Sequence, residues 1–114
     1  MTVLGLDLST SKSGVALPDG STLTVRTTAG PDEHWRRLHE LASGVSRAVR
    51  SHPPIPRLVI VEGYALGSPG RKSLIRSAEA GAVVRLALYE LGASQSIEVP
   101  PSQLKRYATG SGGA

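Results

Sequence analysis

The chain has 114 residues, 39% of them apolar, which is room for one domain over 1–114 and a single core. It contains no cysteine, which excludes disulfides, thiolate metal sites and a cysteine nucleophile, and no apolar run nears the ~20 residues of a membrane span. A net charge of +4 and a pI near 10.0 lean towards a polyanionic partner.

Residues 2–8 predict a buried strand that carries an acid, Asp7, inside its apolar run. With no signal-peptide pattern ahead of this strand, a cytoplasmic protein is expected. Residues 9–13, Ser-Thr-Ser-Lys-Ser, read as a polar turn, and 14–17 resume a strand. Pro18-Asp19-Gly20 is a hairpin turn, because Asp-Gly supplies the positive φ that tight hairpins need. Residues 21–26 alternate Leu23 and Val25 with polar neighbours, as a half-exposed strand does. These three strands predict an antiparallel meander.

Gly30-Pro31-Asp32-Glu33 predicts a helix start, with proline in the first turn and acids at the positive end of the dipole. The helix is expected to run to about Arg50, with Trp35, Leu38, Leu41, Ala42, Val45 and Val49 as its apolar stripe and Trp35 as a core anchor. His52-Pro53-Pro54-Ile55-Pro56 ends it. Residues 58–61 form a continuous apolar run, closed by Glu62, that reads as a strand covered on both faces. A Gly-rich loop over 63–70 precedes a long helix over about 71–91, a short strand over 96–99 and a brief helix ending near Tyr107. Residues 109–114 carry no packing signal.

The order β-β-β-α-β-α-β-α implies an α/β fold, a mixed five-stranded sheet with helices on both faces. Ligands in such sheets gather at the carboxyl ends of strands near the switch point. Asp7 and Glu62 stand near the ends of the first and fourth strands, and if those strands are parallel neighbours both acids come within reach of one cation. A buried carboxylate is costly unless paired, hydrogen-bonded or metal-bound. The alternative is structural, with Asp7 capping a turn through Ser9 or Ser11.

Tyr64 lies two residues past the second acid, with Arg71, Lys72 and Arg76 following. An aromatic beside cations can stack on an unpaired base while the cations hold phosphates. Cations are disfavoured at a helix N-terminus, so Arg71 and Lys72 have no intrinsic structural reason to be there. The alternative is Tyr64 packed on the sheet edge beside a solvated helix start. Lys12, in the turn after Asp7, could also meet a phosphate. The 71–91 helix is apolar around much of its girth, which suggests a homodimer through it, or else a helix sandwiched within its own chain. His34, His39 and His52 form no convincing ligand or base set.

Several segments carry a family resemblance. They are Gly5-Leu6-Asp7 with Ser13-Gly14-Val15-Ala16, Val59-Ile60-Val61-Glu62-Gly63-Tyr64, Ser77-Ala78-Glu79-Ala80-Gly81, and residues 101–112. In that order they resemble the RuvC-like Holliday junction resolvases of the RNase H-like superfamily, especially small phage-type members. The resemblance implies a metal-dependent endonuclease that resolves four-way DNA junctions, with Mg²⁺ or Mn²⁺ as cofactor. It implies that Asp7 bridges two ions and Glu62 binds one, that Lys105 places a positive charge near the scissile phosphate, and that the aromatic near Tyr64 helps open the junction. A pair of ions ~3.5–4 Å apart would activate water, neutralise phosphoryl oxygens and assist the leaving oxygen.

The chain departs from the family in two places. The usual Asp-Pro-Gly is here Asp7-Leu8-Ser9, and nothing acidic follows Glu98 where the family has two more acids on a C-terminal helix. The expectation is a C-terminally truncated form lacking that helix, with weak metal binding and little or no cleavage. Two other readings stay open. One is a non-catalytic nucleic-acid-binding module of the same fold. The other is a nucleotide-binding protein of the actin and sugar-kinase superfamily, whose first phosphate loop residues 6–11 resemble, although 114 residues cannot hold its two domains.

Overall fold

The computed structural model describes residues 2–62 and 71–99, apart from the side chains of Arg71 and Ser73. Its elements are β1 (Val3–Asp7), β2 (Lys12–Ala16), β3 (Thr22–Arg26), α1 (His34–Arg50), β4 (Leu58–Glu62), α2 (Arg71–Glu90) and β5 (Gln95–Val99). They form one five-stranded sheet in the order β3-β2-β1-β4-β5. The meander is antiparallel, whereas β4 runs parallel to both β1 and β5. Mixed pairing was expected from helices intervening before β4 and β5 and tight turns joining β1 to β3.

Strand alternation sorts the side chains into two sets. Leu4, Leu6, Val15, Val25, Val59 and Val61 face the helices and form one core with Leu38, Leu41, Val45 and Val49 of α1 and Ala80, Val84 and Leu88 of α2. Gly44 lets α1 lie close on β3, since a Cβ there would stand 2.5 Å from Val25 Cγ1. Both described helices therefore cover the same face. The third predicted helix, after β5, lies outside the described residues.

Two turns depend on glycine. Gly20 has φ +92° in the β2–β3 hairpin, where Asp19 Oδ1 accepts a hydrogen bond from the Ser21 N–H at 2.8 Å. Gly92 has φ +110° after α2, which lets the Ala93 N–H reach back to the Leu88 carbonyl at 3.0 Å.

Three details differ from the sequence expectation. Residues 30–33 are a turn rather than the first turn of α1. The Glu33 N–H donates to the Gly30 carbonyl at 3.0 Å, and Glu33 Oε2 accepts from the Gly30 N–H at 3.3 Å, which closes the segment on itself before the helix begins. Trp35 is 69% exposed, not a core anchor. The place one turn before Leu38 is taken by His34, which faces α2, and that turns Trp35 outward. Lys12 belongs to β2 rather than to the preceding turn. No described helix is long and apolar enough to cross a membrane.

Candidate active site

In the β1–β4 ladder, Leu6 pairs with Val61. Asp7 and Glu62 follow them as the last residues of their strands. Because Leu6 and Val61 point into the helix-covered core, the next residues point to the opposite face. Asp7 is exposed and Glu62 half-buried. The apolar run around Asp7 does not bury it, because it ends its strand at the rim of the sheet. The desolvation argument therefore applies to Glu62. Its carboxyl is pushed up to about 7, first by burial, then by a hydrogen bond with Asp7 and by repulsion from that neighbour. The two carboxyls are neighbours on one face of the sheet, at the ends of adjacent parallel strands.

The structural alternative for Asp7 fails. The Ser9 N–H donates to Ser13 Oγ at 2.9 Å, Ser13 Oγ donates back to the Ser9 carbonyl at 2.9 Å, and the Ser11 N–H donates to Ser9 Oγ at 3.2 Å. The serines cap their own turn and leave Asp7 out of it. Opposite Asp7 across the β1–β2 ladder stands Gly14, which has no side chain to cover that flank of the carboxylate.

Lys12, at the start of β2, is exposed, and so is Lys72 in the first turn of α2. Arg76 is half-buried one turn further on. Arg71 opens α2. Both α2 and the rim acids follow from the carboxyl end of β4, so this basic helix start shares their end of the sheet. Tyr64 and the loop around it, with Lys105, lie outside the described residues.

Sequence reasoning missed three features. Arg26 pairs directly with Lys12 across the β2–β3 ladder. This was readable by counting outward from the Asp19-Gly20 turn. His34 Nε2 lies 2.9 Å from Glu79 Oε1 and so joins α1 to α2, a contact between distant residues with no local signature. Arg85 Nη1 lies 2.9 Å from Glu98 Oε1 and ties α2 to β5.

A mixed sheet that begins with a three-stranded meander, places β4 beside β1 and ends both with acids defines an α/β protein of the RNase H-like fold. Within that class the fold is RuvC-like. It is similar to the Thermus thermophilus RuvC structure in complex with a Holliday junction substrate, with a TM-score of 0.75 and 21% sequence identity, covering 100% of this chain and 72% of that one. A second Thermus thermophilus RuvC structure matches with a TM-score of 0.68 and 22% identity over the same shares. No protein-family model matches the chain. No curated protein matches it in sequence.

The acid pair fits a hard divalent cation in part. Mg²⁺ takes oxygen ligands, keeps several waters and can be held by one or two carboxylates. Among the described residues no third His, Cys, Asp or Glu joins the pair. The donor set therefore suits one ion better than two.

Proposed function

We propose that this chain is a junction-binding protein of the metal-dependent, structure-selective endodeoxyribonuclease type, acting on four-way DNA. The observation that carries this is the convergence of Asp7 and Glu62 at the ends of adjacent parallel strands, in a fold whose solved counterpart holds a Holliday junction.

Asp7 and Glu62 would hold Mg²⁺ or Mn²⁺. When bound, such an ion supplies charge neutralisation at a phosphoryl oxygen and activation of water. Exposed Asp7 presents its carboxylate at the rim, where a phosphodiester can approach. Glu62 must release its proton before it can act as a ligand, so occupancy rises as the pH passes about 7. With two carboxylates converging among the described residues, binding is expected to outlast cleavage. That same count favours the second reading, a binding module that keeps the fold without the chemistry. Lys12, Arg71, Lys72 and Arg76 are proposed phosphate contacts, Tyr64 a base-stacking residue, and Lys105 a charge near the scissile phosphate.

The outward face of α2 is proposed as a homodimer seam. Ile75, Ala82, Leu86 and Tyr89 recur there at helical spacing, and Leu86 and Tyr89 are 59% and 64% exposed. The Glu79–His34 and Arg85–Glu98 pairs flank this stripe on the α1 and β5 sides. A two-fold dimer would match the symmetry of a four-way junction.

The test is binding in Ca²⁺ to a four-way junction and to duplex of equal length. Tighter binding to the junction is expected, and equal affinity would remove the junction claim. Incubation in Mg²⁺ or Mn²⁺ with Asp7→Asn as control decides between nuclease and module, since strand scission lost in that variant assigns the chemistry to the acid pair. Thermal protection by ATP would instead support the kinase-like reading.

A further inference from the structure

We propose that Lys12 and Arg26 form a phosphate clamp, holding the nucleic-acid backbone one step along the strand from the phosphate at Asp7 and Glu62. This rests on the nucleic-acid reading above. Lys12 and Arg26 are exact partners in the β2–β3 register, at the end of the hairpin furthest from its turn. Asp7 pairs with Gly14, and Gly14 with Thr24. By alternation, Lys12 and Arg26 stand on the same face as Asp7, one pleat repeat further towards the rim. Lys12 is thus a diagonal neighbour of Asp7, with ~7–8 Å between them. Gly14 puts no side chain between the acid and the cations.

The arrangement has no structural benefit of its own. Like charges directly opposite in a ladder are destabilising. Both residues are exposed, and among the described residues neither side chain makes an ion pair or a hydrogen bond. An anion placed between them would relieve the repulsion. A phosphodiester is the ligand that fits, because it carries one negative charge per residue and already passes the neighbouring acids.

The backbone under the pair is held in place before any ligand arrives. Thr27 Oγ1 donates to the Thr10 carbonyl at 2.6 Å, and the Thr27 N–H donates to the Ser11 carbonyl at 3.0 Å, which ties the exit of β3 to the entry of β2. Glu40 of α1 accepts from Thr28 Oγ1 at 2.8 Å and from the Ala29 N–H at 2.9 Å, which holds the following loop. The hydrogen bonds from Thr28 keep the Glu40 carboxyl below its ordinary range.

The experiment is the salt dependence of junction binding in Ca²⁺ for the wild-type chain, Lys12→Ala, Arg26→Ala and the double variant. The double change, which takes both cations from the one clamped phosphate, is expected to lower the slope of log K against log salt by about 1, and each single change by less, with similar loss on junction and duplex. Arg50→Ala is the control. This exposed cation ends α1, on the side from which the chain returns to the start of β4, where the Arg57 N–H donates to the Thr2 carbonyl at 3.2 Å, away from the strand ends that carry Asp7 and Glu62. Its slope should match wild type. Melting temperatures of the Lys12 and Arg26 variants should equal or exceed wild type, because a repulsion is removed, and this also verifies folding. Lys12→Gln and Arg26→Gln repeat the slope measurement if an alanine variant melts low. A wild-type slope in the double variant overturns the clamp, as does an equal drop in Arg50→Ala. If the wild-type chain binds neither junction nor duplex, the nucleic-acid reading falls and takes the clamp with it.

Discussion

On the helix-covered face of the sheet, Leu4, Leu6, Val15, Val25, Val59 and Val61 meet α1 and α2. On the other face, the alternate residues of β1, β2 and β3 include Gly5, Asp7, Lys12, Gly14, Thr24 and Arg26. The same short strands supply both sets, one residue apart. The first set gains stability by leaving water. The second holds exposed charges of both signs, Asp7 against Lys12 and Arg26, and none of these three side chains belongs to an ion pair formed among the described residues. Fold and the proposed binding chemistry are therefore separated by parity along the strand rather than by region. A one-residue register slip would exchange the two roles.

Substitutions can break this division or sharpen it. Leu6→Ala, on the covered face, should have the largest effect. Leu6 is fully buried, and its loss should cost about 2–5 kcal/mol in denaturant unfolding.

Glu62→Gln, on the other face, should act through pH. In the metal-free protein the folded Glu62 carboxyl sits at about 7 against an ordinary 4.5, so the folded state holds its proton more tightly. Stability should then fall as pH rises from about 4.5 to about 7 and level off above. Melts in a chelator across that range should show the decline in wild type and not in the glutamine variant. A wild-type curve without that decline would break the proposed acid pair.

The smallest effect on folding is expected from Leu86→Glu. Leu86 is on the exposed stripe of α2, so monomer stability should shift by no more than about 0.5 kcal/mol. Sedimentation should nonetheless show loss of the proposed dimer. An unchanged sedimentation profile would remove the seam.

Much of this was readable in the residues because it is local or periodic. The Asp19-Gly20 turn, the alternation in β3 and the apolar run of β4 each announce their element, and the two acids stand out as charges at the ends of such runs. What was not readable depends on who meets whom across the fold. His34 and Glu79 are 45 positions apart, and nothing near either predicts their contact. That contact also explains why Trp35 faces outward, although its spacing from Leu38 suits the core. Arg26 is an intermediate case. Its own neighbours say only half-exposed strand, and its place opposite Lys12 appears once the hairpin register is counted.

The strand order has a consequence for how the molecule opens. β1 and β4 are hydrogen-bonded on both sides, whereas β3 and β5 each have one neighbour. Partial unfolding should begin at the borders of such a sheet and reach its middle last. The acid pair then stands at the ends of the two strands that open last, while Arg26 rides on a strand with one neighbour. The proposed phosphate contact at Arg26 would then loosen and re-form without unpairing the strands that carry the carboxylates.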